Sequence, residues 1–236
     1  EGNAEEWQET APKTKWTGIK GFAGTFDGQG HTISGLYASG YNSTIGLFTG
    51  VKTSALIKDT KLTNSYLESR GFGGVSSFAT GGGGNYEKLY SDAKINVIGA
   101  YSGYAGGICS KMNAITNIDE CWYEGVITTT GRITGGILDD INGSTATVSH
   151  SLFSGTINST YDHSGAIAGG LVGKSTTEGA SLVIQDCLSA GTITTGHSDT
   201  TGSVFGGAAS GTSFRSINSY GVDTLQGIGV GGVGVD

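Results

Sequence analysis

The sequence predicts an all-β fold, a right-handed parallel β-helix of about six coils with roughly 30 residues per coil. Three observations carry that expectation. Short segments of β-branched and apolar residues recur at a spacing near 30 residues. A glycine pair precedes most of them. Stacked in register, the segments bring like residues into columns, as parallel strands one coil apart would.

The glycine pairs are Gly73-Gly74-Val75, Gly106-Gly107-Ile108, Gly135-Gly136-Ile137, Gly169-Gly170-Leu171 and Gly206-Gly207-Ala208, with Ile45-Gly46-Leu47-Phe48 as an earlier, degenerate copy. The second segment of each repeat is anchored at Ile57, Tyr86, Ile118, Val148, Ile184 and Phe214, at spacings of 29, 32, 30, 36 and 30 residues. Three columns follow from these anchors. One holds Thr60, Leu89, Cys121, Ser151, Cys187 and Ile217; a second holds Asn64, Ala93, Gly125, Gly155, Gly191 and Gly221; a third holds Tyr66, Ile95, Ile127, Ile157, Ile193 and Asp223. Segments such as Ile127–Thr130 and Thr192–Thr195 read as strands, and no stretch of 12 residues carries helical periodicity. Right-handedness is expected because parallel crossovers almost always take that hand. Residues 1–14 read as an N-terminal tail and 15–236 as one β-helix domain, with 15–50 an opening segment and 51–236 the repeats. Phe22–Phe26, a turn at Asp27–Gly30 and His31–Tyr37 read as a hairpin-like start. At the other end, Val230–Asp236 looks like a further glycine-pair strand, which either closes the last coil or marks a cut from a longer polypeptide; the second reading is favoured.

Composition narrows the class. The 236 residues include 44 glycines without the strict triplet spacing of collagen, and a single proline, Pro12. Charged residues make up only 14%, and the Ile, Val and aromatic content exceeds that of a disordered chain. The net charge of −7 and the absence of a basic stripe argue against nucleic acid as a partner. No run of about 20 apolar residues offers a membrane-spanning helix. Three cysteines are too few for a disulfide framework. Cys121 and Cys187 share a column two coils apart, about 10 Å by the coil rise and so beyond bridging. With Cys109 they read as small buried hydrophobes.

Several segments resemble GLUG-motif repeat proteins. They are Trp16–Ile19, Gly24–Tyr37 and Gly46–Phe48, and above all Ala168–Gly173 and Ile184–Ile193. The resemblance spans roughly residues 15–236 and departs most in the second coil, at Tyr86–Leu89 and Lys94. It implies a β-helical region of a bacterial secreted or cell-surface protein, adhesin-like, and it supplies no catalytic residues.

Candidate chemistry is sparse. Glu87 and Asp119 fall in one column, with Lys88 and Glu120 in the next. Carboxylates about 5 Å apart along the rod can serve glycoside chemistry or hold Ca²⁺, and a solvated charged column is the plainer reading. Asp139-Asp140, expected at a turn, is a second weak metal or sugar candidate. His31, His150, His163 and His197 share no metal spacing, and no Gly-x-Ser-x-Gly elbow is present. Gly173-Lys174-Ser175 lacks the P-loop glycine, since Ala168 stands at its position. Interrupted Thr/Ser columns at 128–129, 158–159 and 194–195 fit ordinary strand propensity better than ice binding. Tyr101, Tyr104, Trp122, Tyr123 and Tyr161 exceed what the inward columns can hold, and exposed aromatics beside polar groups can stack on sugars.

The expected function is therefore a non-enzymatic, adhesin-like repeat region that presents a rigid rod to a host or environmental surface ligand such as a glycan. It would be part of a longer polypeptide, require no cofactor beyond an optional Ca²⁺, and act at the bacterial surface or outside the cell. The alternative is a carbohydrate-active enzyme, a polysaccharide lyase or glycoside hydrolase, with Glu87, Asp119 and Glu120 on the helix wall. A spacer without any ligand is a third reading.

Overall fold

Isoleucine stacks on isoleucine through successive coils. Ile95, Ile127, Ile157 and Ile193 are backbone partners in parallel strands, and Leu67 and Ala38 extend the column toward the N-terminus. The computed structural model describes residues 3–99, 103–160, 166–195 and 201–221. Over them the chain is a parallel β-solenoid of about six turns, about 31 residues apart, with no helix.

Each turn runs through three walls. The long wall carries segments such as Ala79–Ser91, Cys109–Asp119 and Trp122–Tyr123. The second wall is a six-stranded ladder from Tyr37–Tyr41 to Thr192–Thr195, and the third a five-stranded ladder from Gly74–Ser76 to Thr201–Gly202. Inward side chains from all three form one apolar core that includes Ile57, Tyr86, Ile118, Val148 and Ile184. Its depth comes from repeated burial, since each coil alone exposes two strand edges and gains stability only against its neighbours.

Within the long wall the chain bends at a left-handed residue that recurs at the same corner of successive coils. Asp59, Lys88, Glu120, His150, Asp186 and Asn218 have φ between 44° and 53°. Asp, Asn and His tolerate this conformation best among residues with a Cβ, which explains why the column is polar. Lys88 and Glu120 adopt it without that advantage.

Where the third wall meets the long wall, the large rings of two coils leave room only for glycine opposite them. A Cβ on Gly107 would lie 2.4 Å from the Tyr123 ring, and one on Gly136 2.4 Å from the Phe153 ring. Those rings stack on each other with centroids 6.4 Å apart. One coil earlier Ser77 takes the glycine position, Ser91 takes the ring position, and their hydroxyls bond at 2.7 Å. The position demands a residue matched in size to the one it faces, and glycine is one solution.

Four sequence expectations change. Thr25–Asp27 and Thr32–Ser34 do not form a hairpin; both run parallel to Leu56–Thr63 and form the first coil, joined by a corner at Gly28–Gly30. The last anchor is Ser216, not Phe214, because Ile184 pairs with Ser216 and Leu182 with Phe214. Leu67, not Tyr66, continues the isoleucine column. The partners of Gly106 are Ser76 and Gly135, so Gly73-Gly74 lies outside the glycine-pair column; Gly202 pairs with Gly169, and Gly207 with Lys174. Asp223 and Val230–Asp236 lie outside the described residues. Residues of the N-terminal tail pack on the second wall, where Ala4 and Trp7 cover the outward rings of Tyr37 and Tyr66.

Candidate functional site

The carboxylates singled out in the sequence meet at the long-wall corner. Glu87 and Asp119 are backbone partners in adjacent coils, and Glu120 occupies the exposed left-handed position beside them. The Asp119 carboxylate is already engaged. Its Oδ1 accepts from Ser149 Oγ at 2.7 Å and lies 2.7 Å from His150 Nδ1. Partial burial works to raise the Asp119 carboxyl, but donation from Ser149 and His150 outweighs it and holds the group below the usual range. His150 Nε2 reaches Asp186 Oδ2 at 3.7 Å, and Asn218 donates to Asp186 Oδ1 at 3.0 Å. At the other end of the column Lys58 pairs with Asp27 at 3.1 Å. The corner thus carries ion pairs and hydrogen bonds between successive coils along the rod, apart from the like-charged neighbours Glu87 and Asp119. Among the described residues no group of three His, Cys, Asp or Glu side chains converges as a metal site.

His150 should titrate above its ordinary value, because its hydrogen bond to Asp119 favours the charged imidazolium. The stabilisation this brings is present below the unfolded value of about 6.5 and lost as pH rises through the folded one. A proton NMR titration should give an elevated His150 pKa that falls in Asp119→Asn; an unshifted His150 in the parent protein would contradict the pairing.

Asp139 and Asp140 are not at a turn. They lie within the strand Leu138–Ile141, and both are buried, in the concave angle between the long and third walls. Ser110 Oγ donates to Asp139 Oδ2 at 2.5 Å and the Lys111 amide to Oδ1 at 2.6 Å. Burial nevertheless raises Asp139 to about 8. It raises Asp140 to about 6, against the opposing effects of Thr176, Lys111 and Lys174. Asp140 Oδ2 accepts from Thr176 at 3.0 Å, while Oδ1 has no partner among the described residues. Two nearby lysines make this an unfavourable place for a cation.

The three cysteines are free and buried, and burial pushes the Cys109 and Cys121 thiols well up, which makes them poor nucleophiles.

Sequence reasoning identified Trp122 but missed the feature to which it belongs. Lys61, Tyr90, Trp122, Leu152, Leu188 and Tyr220 are successive partners on the outer face of the long wall. From Tyr90 onward this is a continuous apolar strip across five coils. Trp122 is 39% exposed, Leu188 41% and Tyr220 53%. Tyr90 meets Trp122 edge-on at 5.1 Å, the Tyr90 hydroxyl donates to Glu124, and Trp122 Nε1 donates to Ser154 Oγ at 2.7 Å. The charged corner borders the strip on one side, and Asp92, Glu124 and Ser154 on the other. Tyr123 points inward, Tyr104 is half-buried, and Tyr101 and Tyr161 lie outside the described residues, as do His163 and His197.

A second polar cluster carried no sequence signal. Glu68, on the outer face of the second wall, is buried, with bonds from Tyr66 Oη at 2.7 Å and Arg70 Nε at 2.8 Å. Burial acts to raise its carboxyl, but Arg70 and Tyr66 prevail and lower it. With Trp7, Tyr37 and Tyr41 it borders a small pocket of about 370 Å³. Residues 68 and 70 meet Trp7 only through the fold, so spacing could not reveal them.

No protein-family model, no curated protein and no solved structure matches the chain.

Proposed function

We propose that this chain is a non-enzymatic binding rod that engages a polymer, a glycan by preference, along its long wall. The outward strip Tyr90–Trp122–Leu152–Leu188–Tyr220 carries the reading. A soluble surface rarely keeps large apolar side chains aligned and exposed over several repeats without a partner. Aromatic faces suit sugar rings, and the polar groups on both borders offer hydrogen bonds to hydroxyls. The repeat of about 4.8 Å per coil gives many similar shallow contacts, which favours an extended ligand over a small molecule. The resemblance to GLUG-motif repeats supports an adhesin-like role at a bacterial surface or outside the cell.

A glycan array, read with calcium and with EDTA, tests this. Specific binding should appear, and Trp122→Ala should weaken it about tenfold, equivalent to ~1.4 kcal/mol. Binding that is indifferent to Trp122 and Tyr220 would remove the strip as the site. New reducing ends or unsaturated products from a polysaccharide panel would show an enzyme instead.

A further inference from the structure

We propose a second binding site, for an acidic saccharide, in a groove at the N-terminal end of the rod. It shares no residue with the long-wall strip and stands or falls independently of it. The groove has a volume of about 990 Å³, and its walls include Trp16, Lys20, Ser43, Thr49, Lys52 and Asn113. It exists because the third wall starts late. Gly74–Ser76 is that wall's first strand, and the coil before contributes only a single bridge, Ile45 to Val75. The angle that later coils fill with Ser110, Asp139 and their neighbours is therefore open here.

The groove's floor is bare backbone. Gly21, Gly50 and Gly81 follow the paired residues Lys20, Thr49 and Thr80, with φ of 66°, 63° and 75°. A Cβ on Gly21 or Gly50 would meet nothing within 4 Å. In the next coil this column is taken by Lys111, whose ammonium lies 4.6 Å from the Tyr104 ring centroid and closes the row.

Charge selects the ligand. The chain as a whole carries −7, yet the groove is lined by Lys20 and Lys52 and by no carboxylate. Both lysines are exposed, and neither forms an ion pair among the described residues, whereas Lys58 and Lys94 are paired with acids. Two free cations over a carboxylate-free floor complement an anion. The remaining lining combines hydroxyls, the Asn113 amide and backbone with Trp16 and the aliphatic residues Ala38, Ile45, Val51 and Ala114, a mixture of apolar faces and hydrogen-bonding groups that suits a sugar ring. Two cations are too few for a nucleic-acid backbone, whose binding depends on many phosphate contacts. The shared chemistry is a sugar chain bearing carboxylates or sulfates.

Calorimetry on the whole chain carrying Trp122→Ala/Tyr220→Ala, which removes the aromatic contacts of the long-wall strip, tests it with four probes of similar length: an oligogalacturonate, a sulfated glycosaminoglycan oligosaccharide, a neutral cello-oligosaccharide and an oligoglutamate peptide. At least one acidic saccharide should bind, with the neutral sugar and the peptide about tenfold weaker or worse. Which of the two acidic probes binds tells carboxylate from sulfate. In that background Lys20→Glu/Lys52→Glu should reduce the binding at least about tenfold, while Lys13→Glu/Lys88→Glu, with the same change in net charge, should leave it intact. No binding of either acidic saccharide, equal binding of the neutral sugar or the peptide, or equal loss in the Lys13/Lys88 control would overturn the proposal.

Discussion

Asp139→Asn should make the protein more stable above neutral pH and leave it nearly unchanged near pH 4. Burial raises the Asp139 carboxyl to about 8, against about 3.9 in an unfolded chain. The folded state therefore holds a proton that the unfolded state has released over that interval. Stability from this group is complete below the unfolded value and declines as pH rises through the folded one. Over the full interval the decline is at most about 6 kcal/mol, since each pKa unit is worth ~1.4 kcal/mol. Asp140, raised to about 6, adds a smaller decline in the same direction. Asparagine keeps the acceptor for the Lys111 amide, and the Ser110 hydroxyl can turn to accept from the new amide group. Thermal melts by circular dichroism from pH 4 to 9 should show the parent and the variant diverging as pH rises. Parallel curves would mean that Asp139 is ionised without cost, and that its surroundings are more polar than its burial indicates.

The same pair shows why a fold can be read where a site cannot. Every inward column repeats a physical demand at a fixed spacing, so Ile95, Ile127, Ile157 and Ile193 announce the coil. Register failed only where the repeat shifted by a residue or two. Phe214 replaces Ser216 as an apparent anchor because a slip of two keeps the same face of the strand. Tyr66 displaces Leu67 by a slip of one, and that slip sends its ring outward beneath Trp7. The pair Ser76-Ser77 went unseen because the pattern sought was glycine, while the contact requires only a small residue facing a small one. Asp139 and Asp140 gave no such cue. A doubled aspartate reads as a turn, and only the concave angle between two walls makes it a buried strand. The strip through Trp122 was legible in principle as a column one position before the Tyr123–Phe153 ladder, but its Leu and Tyr members are what a core column would also contain. Exposure distinguishes the two, and exposure is a property of the assembled wall.

Gly136→Ala is expected to destabilise the fold strongly. The new Cβ would lie 2.0 Å from the Gly170 carbonyl oxygen and 2.4 Å from the Phe153 ring. Neither can move easily. Gly170 belongs to the next coil, where its amide bonds to Gly202 at 3.0 Å, and the Phe153 ring is buried against Tyr123. Overpacking usually costs about 1–3 kcal/mol, and a clash with backbone on one side and a locked ring on the other belongs at or above that upper end. The damage should also spread, because each coil is stable only through its neighbours and separating two of them weakens both interfaces. Gly24→Ala provides the contrast. Its Cβ would approach nothing closer than Phe22 at 3.6 Å, and its φ is not in the left-handed region. There alanine should be neutral or stabilise by up to about 1 kcal/mol, by restricting the unfolded chain. Urea unfolding of the two variants should therefore move in opposite directions or differ by several kcal/mol. Equal midpoints would mean that the walls separate at little cost, and the rigidity on which the side-wall binding depends would be lost with that result.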